Sequence, residues 1–198
     1  MGAECDKVRL YTTQSPEVVK ILENEKICHV KKEHINKKYQ EVSYIFLEAY
    51  NWYISKAKDI VKKPEGVEYP YWAFTEPEFA GWYPGNYMLI LEIPINNVIF
   101  FRNDAWNRIL NMRYLPQNEE DEKKYNDMLK KYNISNELDI FNKPFYPQLK
   151  SEVKKSWDNL FLYDKLVREE VIPRDHLQAS LWEIKSEWII EKKFISTY

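Results

Sequence analysis

Gln178-Ala179-Ser180-Leu181-Trp182-Glu183-Ile184, with residues 185–195 behind it, is the stretch whose reading decides the fold of this chain. Side chains alternate across a strand, so Gln178, Ser180 and Trp182 share one face while Ala179 and Leu181 point toward a core. His176 joins the first face if the strand begins that early. An amide, a hydroxyl and an indole on one face suit the wall of a ligand cleft. Periodicity taken alone favours an ordinary half-exposed strand. Both readings require a sheet, and the rest of the chain supplies it.

Residues 8–13 (VRLYTT) alternate as a first strand, and Ser15-Pro16-Glu17 opens a helix with a good cap, a tolerated proline and an acid at the positive dipole end. Val18, Val19, Ile21 and Leu22 form its buried stripe, and it ends near Asn24. Thr12, Thr13 and Gln14 therefore stand beside a helix N-terminus, which is either an anion-receiving junction or a capped turn. Residues 31–38 form a basic connector. From residue 40, the spacing of Val42, Ile45, Phe46, Ala49, Trp52, Tyr53 and Ile60 has the helical period, with Lys56, Lys58, Lys62 and Lys63 on a solvated face. Pro64-Glu65-Gly66 stops it.

Residues 69–75 read as a second strand, with Pro70 at an edge or at the strand's start. The loop at 79–86 carries Trp82 and Tyr83, as core plugs or as ligand platforms. Residues 87–93 are apolar enough for a strand buried on both faces, within which Glu92 is a buried acid or, better, a surface residue near the strand's end. Asn96-Asn97 turns the chain into a strand at 98–101. Asn103-Asp104 caps a helix whose apolar face makes Trp106 structural. A charged helix at 117–131, an irregular insertion at 133–147 and an amphipathic helix at 151–162 precede the terminal strands. This order predicts an α+β fold, a single domain over 1–198 with a mainly antiparallel sheet and flanking helices. The 178–184 strand should lie inside that sheet, with 8–13 near it.

A chain of 198 residues suffices for one well-cored domain. Its formal charge of −2 leaves no electrostatic footprint for sequence-indifferent nucleic-acid binding. Two cysteines, Cys5 and Cys28, allow one bridge arithmetically but make no disulfide framework, so a reducing, cytoplasmic setting is expected. No apolar run has the length of a membrane span, and the N-terminus lacks the regions of a signal peptide. His29, His34 and His176 have no metal-ligand spacing, so no metal is expected. Phosphate-binding glycine loops, nucleophile elbows and kinase signatures are missing.

Several segments together carry a resemblance: Leu10-Tyr11-Thr12, Tyr69-Pro70-Tyr71-Trp72-Ala73-Phe74, Leu91-Glu92-Ile93-Pro94, Asp104-Ala105-Trp106, Lys155-Ser156-Trp157 and the 178–184 stretch. They resemble an uncharacterised, mainly bacterial family, domain of unknown function 3841, over nearly the whole chain. Asn107 departs from that family, which usually has His there. The order of elements also resembles the ADP-ribosyltransferase fold, DarT-type enzymes especially, which modify DNA bases using NAD. Leu10-Tyr11-Thr12 stands where those enzymes have Leu-Tyr-His, and Gln178-Ala179-Ser180 where they have Gln-Ala-Glu. Thr12 thus occupies the histidine position and Ser180 the catalytic glutamate position. The resemblance implies a cleft for a nucleotide such as NAD, lined by Tyr11, Thr12, Gln14, Gln178 and Ser180, with Trp72 or Trp182 stacking. It implies ADP-ribose transfer to nucleic acid or protein through a rearranged site, with Glu183 the nearest spare carboxylate. The alternative is a non-catalytic binding or regulatory module, toxin-associated or phage-related, using the same cleft for a peptide or nucleic acid.

Overall fold

The computed structural model describes residues 6–30 and 43–196. The basic connector at 31–38, the helix start at 40–42 and Cys5 lie outside the described residues.

Eight strands are described: β1 (Lys7–Gln14), β2 (Ile27–Cys28), β3 (Tyr71–Phe74), β4 (Tyr87–Pro94), β5 (Ile99–Phe101), β6 (Gln178–Leu181), β7 (Ile184–Lys185) and β8 (Ile189–Phe194). Six of them form one sheet in the order β5-β6-β3-β1-β4-β8, with every neighbouring pair antiparallel. β2 and β7 make a separate antiparallel pair. The fold is α+β with flanking helices, and β6 is an interior strand separated from β1 only by β3.

Helix α1 (Pro16–Glu25) follows β1 directly. Ser15 has the extended backbone of a cap but its side chain makes no capping bond, and Lys26 closes the helix in the left-handed region at φ 68°. Val19 and Leu22 bury one side of α1 against Val8, Leu10, Leu89, Leu91 and Ile93 on one face of the sheet. Helix α2 (Ser43–Ile60) covers part of the other face through Ala49, Tyr50, Tyr53 and Ala57. Ile60, expected inside, is 40% exposed because Ala57 and Val61 take the inward positions of the last turn.

Helix α3 (Asn103–Leu110) packs against α2, and α4 (Glu119–Lys131) and α6 (Pro147–Ser156) join the same core. Arg102, one residue ahead of the expected Asn103-Asp104 cap, is the residue that precedes α3, and its guanidinium holds Asp104. Asn118 caps α4 by accepting from Asp121 N. The insertion at 133–147 holds a short helix, α5 (Leu138–Asn142). The helix expected over 151–162 is divided: α6 ends at Ser156, a 3-10 turn runs Trp157–Phe161, and α7 (Leu162–Arg168) follows. His176 does not extend β6. It is exposed, with φ 56°, in the turn before the strand.

Candidate functional site

Alternation along β6 holds, but the face it defines is not open. Gln178, Ser180 and Trp182 are 4%, 4% and 5% exposed, and α2 lies over Ser180. The Ser180 hydroxyl meets the Tyr53 hydroxyl at 2.5 Å, and Tyr53 is fully buried. Burial pushes the Tyr53 phenol far above the ordinary tyrosine range, against the opposing pull of the Ser180 hydrogen bond. Trp182 donates its indole N–H to Val61 O at 2.8 Å, and Trp72 donates to the Tyr50 hydroxyl at 3.0 Å. Trp72 is wedged among Tyr53, Phe101 and Trp106, with ring centroids 5.0–5.8 Å apart. Both tryptophans are therefore parts of an aromatic core under α2, with their donors already used. Trp106 is 2% exposed in the same cluster, as its position on the apolar face predicts.

The seven residues singled out in the sequence do not line one cleft. Tyr11 pairs with Phe74, Trp72 with Ser180, and Phe74 with Gln178, so Tyr11, Trp72, Gln178 and Ser180 share a face. Thr12 pairs with Leu89 and faces the opposite side, the side packed by α1, and Gln14 follows it by alternation. Thr12 and Ser180 are on opposite faces of the sheet.

What these strands do share is a seam. β1 and β3 pair through backbone at one position, Tyr11 with Phe74, whereas β1 and β4 pair along eight. Beyond that position side chains bridge the gap. Thr12 Oγ1 donates to Trp72 O at 2.8 Å and accepts from Gln14 Nε2 at 2.8 Å. Thr13 Oγ1 donates to Gly81 O at 2.7 Å, which fixes the 79–86 loop against β1. Gly81 has φ 79°, and a Cβ there would stand 2.4 Å from the Tyr83 ring, so only glycine lets Tyr83 fold over it. The far end of the loop is held by Gly85 N to Ile195 O at 2.8 Å and Ile195 N to Asn86 O at 2.9 Å.

Between these anchors Trp82 and Tyr83 are 64% and 60% exposed, and Phe79, just ahead of the first anchor, is 49% exposed. They are not core plugs. Glu76 borders the same loop, accepting from the Thr75 hydroxyl at 2.6 Å and from His176 N at 2.8 Å. Gln178 faces this seam side between Phe74 and Phe101, and its Oε1 is buried without a hydrogen-bond partner.

The two acids singled out in the sequence, Glu92 and Glu183, are both paired. Glu92 is at the surface, paired with Lys7 at 3.5 Å. Glu183 is held by His29 at 3.1 Å and Lys185 at 3.3 Å beside the β2–β7 pair. Among the described residues no group of three or more His, Cys, Asp or Glu could hold a metal ion, and no helix is long and apolar enough to cross a membrane. Two hollows of about 430 and 180 Å³ open on the helical side, and none of the seven residues lines either.

Residues 9–190 match the family described as a domain of unknown function, DUF3841. The chain belongs to the DUF3841 family. No curated protein and no solved structure matches it. The DUF3841 match covers every strand of the main sheet at least in part, and with it both the seam and the aromatic loop. Sequence reasoning found the loop of this DUF3841 chain but missed Tyr53 as the partner of Ser180. The two are 127 residues apart, and helical spacing marks Tyr53 as inward without saying what it meets.

Proposed function

We propose that this DUF3841 chain is a nucleotide-binding protein with an ADP-ribosyltransferase-like fold, taking NAD or an ADP-ribose-type ligand where β1 parts from β3. The observation that carries the reading is the exposed pair Trp82 and Tyr83, on a loop that the Thr13–Gly81 hydrogen bond ties to β1 beside that seam. Rigid exposed aromatics stack flat rings at little entropic cost. Thr13 and Gln14 add polar groups at the seam, and the α1 N-terminus just beyond them suits a phosphate. The two strands that carry the transferase resemblance, β1 and β6, flank the same strand β3.

Recognition without transfer at Ser180 is the function favoured. In the resembled enzymes a carboxylate at that position stabilises the charge that develops as nicotinamide leaves. Ser180 is neutral, buried and engaged with Tyr53, and losing one such group costs ~10²–10³ in rate. Glu183 points elsewhere and is already paired. ADP-ribose transfer to nucleic acid or protein would need a carboxylate from another position. The non-catalytic module and the nucleotide-binding fold thus become one reading.

Thermal unfolding with NAD, ADP-ribose and short single-stranded DNA tests it. A ligand at a hundredfold its dissociation constant should add about 2.7 kcal/mol of stability. Trp82→Ser and Tyr83→Ser should keep the unliganded midpoint, since both side chains are mostly exposed, and lose the ligand shift. The absence of any shift with all three ligands removes the reading.

A further inference from the structure

β8 ends the main sheet opposite β5, and among the described residues no strand pairs with its outer side. Its regular pairing with β4 runs from Phe194 back to Glu191, and a bulge follows at Ile190. Lys192 pairs with Leu89, so Ile190, Lys192 and Phe194 stand on the α1 face and Glu191 and Lys193 on the other. Ile190 and Phe194 are half exposed. Lys192 is held by Glu23 of α1 and lies over the Tyr87 ring, while Glu191 is paired with Lys193 of its own strand at 3.3 Å.

Charges along an edge turn away strands that do not match them. A second copy of β8 matches in one register. Two copies joined by a two-fold axis normal to the sheet run antiparallel, and residues opposite each other face the same side. The axis must therefore pass through a residue, because neighbours along a strand face opposite sides. Through Glu191 it sets glutamate against glutamate and Ile190 against Lys192. Through Lys193 it sets lysine against lysine and Glu191 against Ile195. Through Lys192 it sets Glu191 opposite Lys193 of the second copy and Ile190 opposite Phe194 of the second copy, each pair made twice.

We propose that the chain associates with a second copy of itself through β8 in the Lys192-centred register, making one continuous antiparallel sheet. Glu191 and Lys193 of both strands then form a square whose signs alternate all round. The pair within each strand is kept, and a second pair across the interface is added to it. The one like-charged contact is Lys192 against its own copy, and each of these lysines already has its Glu23. The two apolar pairs flank that contact on the same face. Residues 190–194 bury less than a standard interface, so the dimer is weak, with a dissociation constant above about 1 μM. The pairing uses no residue assigned to the nucleotide.

Sedimentation equilibrium of the full chain from micromolar to millimolar concentration tests it, alongside Glu191→Lys, Lys193→Glu and an equimolar mixture of these two variants. Both side chains are more than half exposed, so the monomer should fold as wild type does. Wild type should pass from monomer to dimer across that range. Each single variant sets like charges opposite each other twice and should weaken self-association at least about tenfold. In the mixture the two variants meet with opposite charges in both places, and the dimer should return. That recovery depends on contact between chains, because each variant alone carries like charges within its own strand. A wild type that stays monomeric throughout overturns the assignment. A dimer indifferent to the single variants, or a mixture no tighter than either variant alone, overturns it too and puts the contact on another surface or in another register.

Discussion

Ser180 and Gln178 stand two residues apart on one face of β6, and their surroundings give opposite expectations for substitution. Ser180 has its hydroxyl taken by Tyr53 under α2. A carboxylate there would lose its water beside a phenol, so Ser180→Glu should destabilise the protein by more than about 3 kcal/mol in urea. An unchanged midpoint would mean that position 180 is wet. Gln178 instead carries a buried oxygen with no donor. An unmet buried acceptor costs about 1–3 kcal/mol, and methionine keeps the side-chain volume. Gln178→Met should therefore raise the urea midpoint, worth about 1 kcal/mol. A fall would reveal a donor, such as a trapped water, that the side chain uses.

At the scale of elements, the two edges of the sheet are treated differently. β5 is an edge strand clasped by α7: Asp164 accepts from Phe100 N at 2.9 Å, and Arg168 donates to Asp164 at 2.6 Å and to Val98 O at 2.6 Å. Asp164 is 3% exposed, so its removal leaves the buried Phe100 amide unmet and takes from Arg168 one of its partners, Val98 O remaining. Asp164→Ala should cost about 1–3 kcal/mol and speed hydrogen exchange first at Phe100. Uniform exchange throughout the sheet would show that the clasp is not local. β8, at the other edge, is guarded by Glu191, Lys192 and Lys193, all exposed. Sequence made both strands visible, while neither the clasp nor its partner strand had a local signal, since Asp164 sits 64 residues from Phe100.

Across the whole molecule the tyrosines set an alkaline limit. Burial holds Tyr53, Tyr71, Tyr114 and Tyr125 above the ordinary phenol range, with further help from Cys28 at Tyr71, Asp121 at Tyr114 and Glu137 at Tyr125. Tyr114 is pushed up to about 12. Raised folded values mean that this stabilisation is complete below the unfolded value near 10 and is lost as pH climbs through the folded ones. The urea midpoint should thus stay level with respect to these groups up to about pH 10 and fall beyond it. Parallel tyrosinate absorbance should lag behind that of free tyrosine until the fall begins. Early, non-cooperative ionisation of all the phenols would contradict the burial described.

The sequence by itself determined the α+β class, most of the strands and helices and the facing of β6, because alternation and helical period are local properties of side-chain order. It also marked Trp82 and Tyr83 as loop aromatics, but glycines and prolines fix only that a loop exists. Whether its rings are buried depended on Thr13 reaching Gly81 from another strand. The same limit explains the fate of Ser180. Alternation says which residues share a face, and only tertiary packing says whether water or a helix lies above it. Here α2 lies there, carrying Tyr53, so the residue most suggestive of chemistry is in the core and the seam between β1 and β3 is one strand away.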